Sequence, residues 1–149
     1  MATRYIQGVN KVQGANDGAT VPTGYIGEQI PATFSATNIG GSDTVLASIT
    51  LAAPGVYLVY GKIECSAPGS SLNTMDLSIS YNSTAAHRPS QIRDRTTSIS
   101  SNILFGTCVR YVVATSAGDV LRLIGASSYT GTAPATVTSG CQFIAVRIA

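Results

Sequence analysis

The chain contains a single histidine, His87, in the polar segment HRPSQIRDRTTS that runs from His87 to Ser98. A serine hydrolase needs a histidine, a serine and a carboxylate close together in space. Serines are so frequent in this sequence that their presence near His87 indicates nothing. We therefore interpret His87 as a solvated histidine in a loop.

Paired carboxylates are the second chemistry to consider, because glycoside hydrolysis uses one as acid and one as base or nucleophile. The candidates are Glu64, Asp76, Asp94 and Asp119. The alternation of strand side chains predicts that Glu64 and Asp76 point outward into solvent. That position does not favour an active site, and we expect the protein not to be an enzyme.

The three cysteines, Cys65, Cys108 and Cys141, are far apart, and each lies in an apolar, strand-like stretch. Zinc sites need closer ligand pairs, typically C-x₂₋₄-C. The segments DRTTS and ANDG lack the several acidic ligands of a calcium loop. We interpret the cysteines as buried, reduced thiols that behave as small hydrophobic residues. We expect no metal and no cofactor.

The charge content is low: charged residues make up 11% of the chain, against roughly 25% in an average protein. So few charges cannot cover the surface of a free monomer, which favours contacts with other chains. The basic residues are scattered and the net charge is only +2, so nucleic acid is not an expected partner. The sequence has no apolar run of membrane-spanning length, and MATRYIQGVNKVQG lacks the hydrophobic middle of a signal peptide. We expect synthesis in the cytoplasm and no membrane insertion.

The apolar residues follow the period of β-strands. MDLSISY, from Met75 to Tyr81, alternates without error between apolar and polar residues. Further strands are predicted at 45–51, 56–65, 106–114, 119–127 and 141–149, with turn-forming groups such as APG and TSAGD between them. No window shows the stripe of an amphipathic helix. This pattern predicts an antiparallel sandwich or barrel.

The stretch VYLVYGKIEC, at 56–65, is apolar on both of its faces. Val56, Leu58 and Tyr60 point one way, and the odd-numbered residues from Tyr57 to Ile63 point the other way. In a two-sheet sandwich one face packs on the opposing sheet, so we predict that a neighbouring copy covers the other. Either the strand at 106–114 or the stretch QFIAVRIA, at 142–149, is expected to join this subunit interface. The predicted interface residues are Tyr57, Val59, Tyr60, Tyr111, Ile144 and Val146.

Residues 1–43 are rich in glycine and poor in apolar clusters, so they cannot bury enough surface to fold alone. They are either a flexible leader or an extended arm that orders only against another protein. Tyrosine and isoleucine anchors favour the arm, and we place the β-sandwich domain at 44–149. The predicted attachment anchors are Tyr5, Ile6, Tyr25, Ile26 and Ile30.

Two loops could contact a partner. The segment from His87 to Ser98 is either a solvated loop in which its arginines pair with Asp94, or a contact loop. Arginine suits phosphate and carboxylate groups because its planar fork donates two hydrogen bonds at once. GASSYTGTAPAT, which contains a tyrosine, is the second candidate. The predicted contact residues are His87, Arg88, Arg93, Arg95 and Tyr129.

Three motifs in order carry a resemblance: ATVPTGYIGEQI, SITLAAPGVYLVYGKIE and the terminal GCQFIAVRIA. Together they resemble a domain of tail-fibre and other virion-surface proteins of tailed bacteriophages. PGVYLVYGKI and SAGDVLRLIGA are also similar to strands of tumour-necrosis-factor and complement-type jelly rolls. The resemblance implies an all-β, antiparallel jelly-roll-like β-sandwich with an extended N-terminal arm, assembled as a homotrimer.

The function implied is non-enzymatic. One expectation is a homotrimeric fibre-type subunit on the virion surface, attached to other virion proteins by its arm and involved in host adsorption, with a host cell-surface glycan as receptor. The alternative is a capsid decoration protein, of the cement or head-fibre type, that binds and stabilises the head lattice. The chain begins at its own methionine without a long shaft, which favours a small accessory subunit.

Overall fold

The computed structural model of the protein describes residues 23–34, 38–66, 70–100, 104–131, 135–137 and 141–149. These residues form ten β-strands and one 3-10 turn, Arg88–Ser90. The strands are β1 (Gln29–Pro31), β2 (Asn38–Ile39), β3 (Thr44–Thr50), β4 (Gly55–Ser66), β5 (Ser70–Tyr81), β6 (Ile92–Ser100), β7 (Leu104–Ala114), β8 (Val120–Gly131), β9 (Ala135–Val137) and β10 (Gln142–Arg147).

The strands form two sheets in which every pairing is antiparallel. In sheet A, β4 pairs with β7 along one edge and with β10 and β9 along the other, and β1 and β2 extend the sheet beyond these. Sheet B has the order β3, β8, β5, β6. The chain crosses between the sheets at most of its connections, as in a jelly roll. The predicted fold class, an antiparallel jelly-roll-like β-sandwich, is confirmed.

The core lies between the two sheets because alternate side chains of each strand point inward. On β4, Tyr57, Val59 and Ile63 are fully buried, whereas Leu58 on the opposite face is exposed. The core also contains Met75, Leu77 and Ile79 of β5, Cys108 and Val112 of β7, Leu121 and Leu123 of β8, and Phe143 and Ala145 of β10.

Gly61, in the middle of β4, lets the two sheets approach closely. A Cβ atom at this position would lie 2.5 Å from Cδ1 of Leu123 and 3.2 Å from Sγ of Cys108. Both neighbours are buried in the core, so neither side chain has free space to move into. The absence of a side chain at Gly61 is therefore part of the packing between the sheets.

We predict that Gly61→Ala destabilises the protein by about 1 to 3 kcal/mol, the usual cost of adding a methyl group to a packed core. Urea denaturation of both proteins measures the difference in the free energy of unfolding. Gly40→Ala is the matched control, because a Cβ at Gly40 meets nothing within 4 Å. Equal losses in the two variants would contradict this account of Gly61.

All six predicted strands are present, but the structure adds a strand inside the segment predicted as a loop. Ile92–Ser100 is β6, at the edge of sheet B, where Ile92 pairs with Leu77 and Arg93 with Asp76. The contact loop predicted from His87 to Ser98 is thus a loop only as far as Gln91. The sequence of β6, IRDRTTSIS, is polar like that of a loop, because an edge strand tolerates charged residues that a central strand does not. The strand was therefore not predicted.

The predicted boundary at residue 43 also needs correction. Gln29–Pro31 pairs with β10, Asn38–Ile39 pairs with β9, and Ile39 is fully buried. Part of the predicted arm therefore belongs to the sandwich. Strands of two or three residues are too short to show an alternating pattern in the sequence. The anchors Tyr5 and Ile6 lie outside the described residues.

Candidate functional site

The outer side of sheet A carries a continuous apolar surface, which we call the apolar face. It spans the adjacent strands β7, β4 and β10, of which β4 is the middle one. Cross-strand pairing aligns its side chains in rows: Val113, Val56 and Ile148; Tyr111, Leu58 and Val146; Val109, Tyr60 and Ile144.

Several of these side chains are well exposed in the single chain. The exposed fraction is 61% for Tyr111, 54% for Val109, 53% for Val113 and 44% for Leu58. Contiguous apolar patches of this kind mark interaction sites in folded proteins.

A polar row ends the apolar face. Thr107, Lys62 and Gln142 align next to the row of Tyr60, and Nζ of Lys62 lies 2.7 Å from Oε1 of Glu64. This ion pair cancels the charge beside the face. The geometry can bind another apolar surface.

Of the six predicted interface residues, four lie on the apolar face and two lie in the core. Tyr60, Tyr111, Ile144 and Val146 do lie on the apolar face. Tyr57 and Val59 do not, because both are fully buried between the sheets. The Tyr57 hydroxyl donates to the Ala53 carbonyl at 2.8 Å, and burial raises its pKa.

The error comes from mixing odd and even positions of one strand, which always point to opposite faces. The predicted interface residues also left out five that complete the face: Val56, Leu58, Val109, Val113 and Ile148. A consistent choice of register would have included them.

The three motifs of the resemblance converge on one arginine. The Arg147 guanidinium donates from Nη1 to the Gly24 carbonyl, from Nη2 to the Pro54 carbonyl at 2.8 Å and from Nε to the Ala149 carbonyl at 3.3 Å. Its backbone is held as well, because the Gly27 N–H donates to the Arg147 carbonyl at 2.7 Å. Arg147 therefore ties the turn before β1 to the loop before β4.

The turn itself is built by the segment GYIGE. Gly24 and Gly27 have φ of +83° and +93°, values that side-chain-bearing residues rarely adopt. Oε2 of Glu28 accepts the Gly24 N–H at 2.7 Å and closes the turn. Of the predicted anchors here, Ile30 packs against the core, Ile26 is partly buried and Tyr25 is 38% exposed. The motif is a folding element in this structure.

We predict that Arg147→Gln loosens this turn, since it removes the charged hydrogen bonds to the Gly24 and Pro54 carbonyls. The free energy of unfolding should fall by roughly 1 to 3 kcal/mol. Amide hydrogen exchange should accelerate most at Gly24 to Ile30. The amides of β5 and β8 serve as the internal control, and their exchange should accelerate only as far as the lower free energy of unfolding requires. Equal acceleration in both sheets would contradict a local role for Arg147.

A second polar cluster surrounds Asp119, in the turn before β8. Its carboxylate accepts the Tyr81 hydroxyl at 2.6 Å and the Asn82 side-chain amide at 2.9 Å. The backbone N–H groups of Thr115 and Ser116 each donate to it at 2.9 Å. These donors, with the Tyr81 hydroxyl foremost, lower the pKa of Asp119 to about 2.

A carboxylate held in this way stays ionised at neutral pH and does not act as a general acid. The other carboxylates proposed for glycoside hydrolysis whose side chains are described also have partners. Glu64 pairs with Lys62 on sheet A, and Asp76 accepts two hydrogen bonds from Arg93 on sheet B, at 2.6 and 2.7 Å. These three carboxylates therefore hold structure in place.

We predict a stability loss in acid that depends on Asp119. Its pKa is lower in the folded than in the unfolded chain, so its contribution is complete above about pH 4 and disappears as the pH falls towards 2. Urea denaturation at a series of pH values measures this slope. Asp119→Asn should be less stable at pH 6 and show a shallower decline below about pH 4. Parallel curves for the two proteins would contradict the assignment.

The predicted contact residues do not form one surface. His87 and Arg88 begin the 3-10 turn, and Arg88 donates from Nη1 to Oε1 of Gln91 at 2.9 Å. Arg93 pairs with Asp76 on the neighbouring strand β5. Tyr129 lies in β8 and packs against the core, because β8 runs further than its sequence pattern predicts. The structure does not describe the side chains of Asp94 and Arg95.

Sequence reasoning missed Arg110. It occupies a core-facing register position of β7, between the buried residues Cys108 and Val112, and its Nη1 donates to the Ile79 carbonyl at 2.7 Å. Burial lowers the pKa of the Arg110 guanidinium. Burial, followed by the charge of Arg110, also lowers the pKa of His87. The two side chains therefore share one environment, which no spacing in the sequence indicates.

The thiols are placed as expected for small hydrophobic residues. Cys65 and Cys108 are buried, and burial raises the pKa of Cys108 to about 12. Cys141 is partly buried, and its Sγ lies within hydrogen-bonding distance of the Glu64 backbone. Within the described ranges, His, Cys, Asp and Glu side chains form no group of three that could hold a metal ion. The described residues also contain no helix of the length and apolarity that a membrane span needs.

Comparisons with known proteins give a structural similarity alone. No protein-family model and no curated protein sequence matches the chain. Among solved structures, the chain is similar to Eiger TNF from S. frugiperda, with a TM-score of 0.48 and 12% identity. The match covers 81% of this chain and 92% of that chain.

Proposed function

We propose that this chain is a non-enzymatic structural subunit of the surface of a tailed-bacteriophage virion. In this proposal it is a homotrimeric fibre-type protein, made in the host cytoplasm, that is attached by its N-terminal segment and takes part in host adsorption. The observation that carries the proposal is the apolar face. A protein that presents three rows of apolar side chains on one sheet is suited to assembly.

A second copy of the chain is the occupant that fits the apolar face best. The face is nearly free of charge, because its polar border contains the internal Lys62 to Glu64 ion pair. Each large apolar side chain that becomes fully buried contributes roughly 1.5 to 3 kcal/mol before the cost of association is subtracted. Cyclic symmetry repeats that gain in every subunit. The number three comes from the resemblance of PGVYLVYGKI and SAGDVLRLIGA to trimeric jelly rolls.

The virion assignment comes from the motif order of GYIGE, APGVYLVYG and the terminal strand. The contacts of Arg147 give these motifs a common physical purpose, because they hold the same turn, loop and strand end together. A chain that shares all three motifs with virion-surface domains is therefore proposed to share their architecture. The receptor-facing surface is proposed to lie among the loops of the sandwich.

We predict that Tyr111→Asp converts the assembly to monomers without unfolding them. Tyr111 is 61% exposed in the single chain, so the change removes little from the core but places a charge in the middle row of the apolar face. Light scattering coupled to gel filtration measures the mass. Val45→Asp is the matched control, because Val45 is also an exposed strand residue, 37% exposed, but on sheet B. Equal effects of the two variants, or none, would contradict the proposed interface.

Function is tested by incubating the full-length protein with host cells and, separately, with virions that lack it. Binding to cells that extracted surface glycan competes away is the result expected for the fibre-type subunit. Stoichiometric rebinding to the bare particles without affinity for cells would replace adsorption by capsid decoration. Binding to neither would contradict both functions.

A further inference from the structure

One end of the sandwich carries a positive site that the proposed function does not use. The 3-10 turn Arg88–Ser90 packs there against β5 and β7. Arg110 reaches the same place from β7, partly buried, with its Nη1 on the Ile79 carbonyl at 2.7 Å. His87 directly precedes the turn. His87, the 3-10 turn with Arg88, and Arg110 thus lie at the same end of the sandwich.

Neutral partners hold the two arginines. Arg110 donates to a backbone carbonyl and Arg88 to the side-chain oxygen of Gln91. Among the described residues, no carboxylate lies within ion-pair distance of either guanidinium. A guanidinium has five N–H donors, so most of them remain available.

The neighbouring carboxylates are engaged by other groups. Oδ2 of Asp43 accepts the Ala86 N–H at 2.7 Å, and Asp119 accepts its full set of donors around Tyr81. Asp76 is paired with Arg93. Neither guanidinium at the turn forms an ion pair with one of these acids. The pKa of His87 is lowered by burial and, after burial, by the charge of Arg110.

From this arrangement, we propose that Arg110, Arg88 and His87 form a binding site for an oxyanion group, a phosphate or a carboxylate. Arginine forks bind both groups through paired, charge-assisted hydrogen bonds. Partial burial fixes Arg110 and weakens the screening of its charge by water. The site stands on these side chains alone. If adsorption is correct, it also names the chemical group of the surface glycan that the protein recognises.

A bound anion stabilises the protonated imidazole of His87 and so raises its pKa. Binding is then tighter below that pKa than above it. The charged groups of the described elements at this end of the sandwich include Arg110 on β7, Arg88 on the 3-10 turn and Asp43, which accepts the Ala86 N–H. None of these changes charge near the ordinary range of a histidine, so the pH dependence reports on His87.

The test is an NMR titration of the full-length protein, because His87 is the single histidine and its imidazole signal needs no assignment. The probe is sulfate, which stays a dianion over this pH range, compared with chloride at equal ionic strength. Sulfate should raise the pKa of His87 in a saturable way. Arg110→Gln should weaken binding tenfold or more, about the contribution of one charge-assisted hydrogen bond.

Two further variants make the result specific. Lys62→Gln removes the same single charge from the outer side of sheet A, away from the turn, and should bind sulfate as the wild type does. Arg88→Gln alters an exposed side chain and should also weaken binding, which keeps the test valid if Arg110→Gln fails to fold. An equal His87 response to sulfate and chloride, or unchanged affinity in the Arg88 and Arg110 variants, would overturn the proposal.

The two sources of the anion are separated by repeating the titration with inorganic phosphate and with glucuronate. Tighter binding of phosphate than of glucuronate would identify a phosphate group as the ligand, and the reverse order would identify a carboxylate. If the wild-type protein binds sulfate but does not bind host cells, the result counts against host adsorption and leaves the anion site in place. Loss of sulfate binding in a protein that still adsorbs would count against the site alone.

Discussion

The structure depends on one strand, β4, whose two faces are both apolar and must both be covered. β4 is twelve residues long and pairs with β7 along one edge and with β10 and β9 along the other. Its odd-numbered side chains are buried against sheet B, and Gly61 sets how closely the sheets approach. Its even-numbered side chains form the middle of the apolar face. The same strand therefore holds the monomer together and directs its proposed assembly.

Two of the charged residues, Arg147 and Asp119, connect separate segments of the chain by hydrogen bonds at the ends of the sandwich. Arg147 joins a turn, a loop and the end of β10, and Asp119 collects the donors around the turn before β8. Such groups bring distant segments together where β-strand pairing has ended. Arg93 instead pairs with a carboxylate on the surface of sheet B, whereas the partly buried Arg110 donates to a backbone carbonyl.

The sequence predicted the long strands well because seven or more alternating residues give a clear period, as in Met75 to Tyr81. It did not reveal β1, β2 and β9, which are too short for a period, or β6, whose polar edge position resembles a loop. It recognised that VYLVYGKIEC needs cover on both sides, but it assigned Tyr57 and Val59 to the wrong face. The pairing of Arg93 with Asp76 and the proximity of Arg110 to His87 depend on tertiary contacts between separate strands, which no local pattern contains.

The central claim is that the apolar face meets the same face of other copies. The most direct test places a photo-cross-linking benzoylphenylalanine at Tyr111 in the full-length protein at micromolar concentration, with the same residue at Val45 as reference. The account predicts covalent dimers and trimers from the Tyr111 position, with the links mapped by mass spectrometry to β4, β7 and β10 of another copy. Cross-links confined to one chain, or products equal to those from Val45, would contradict it.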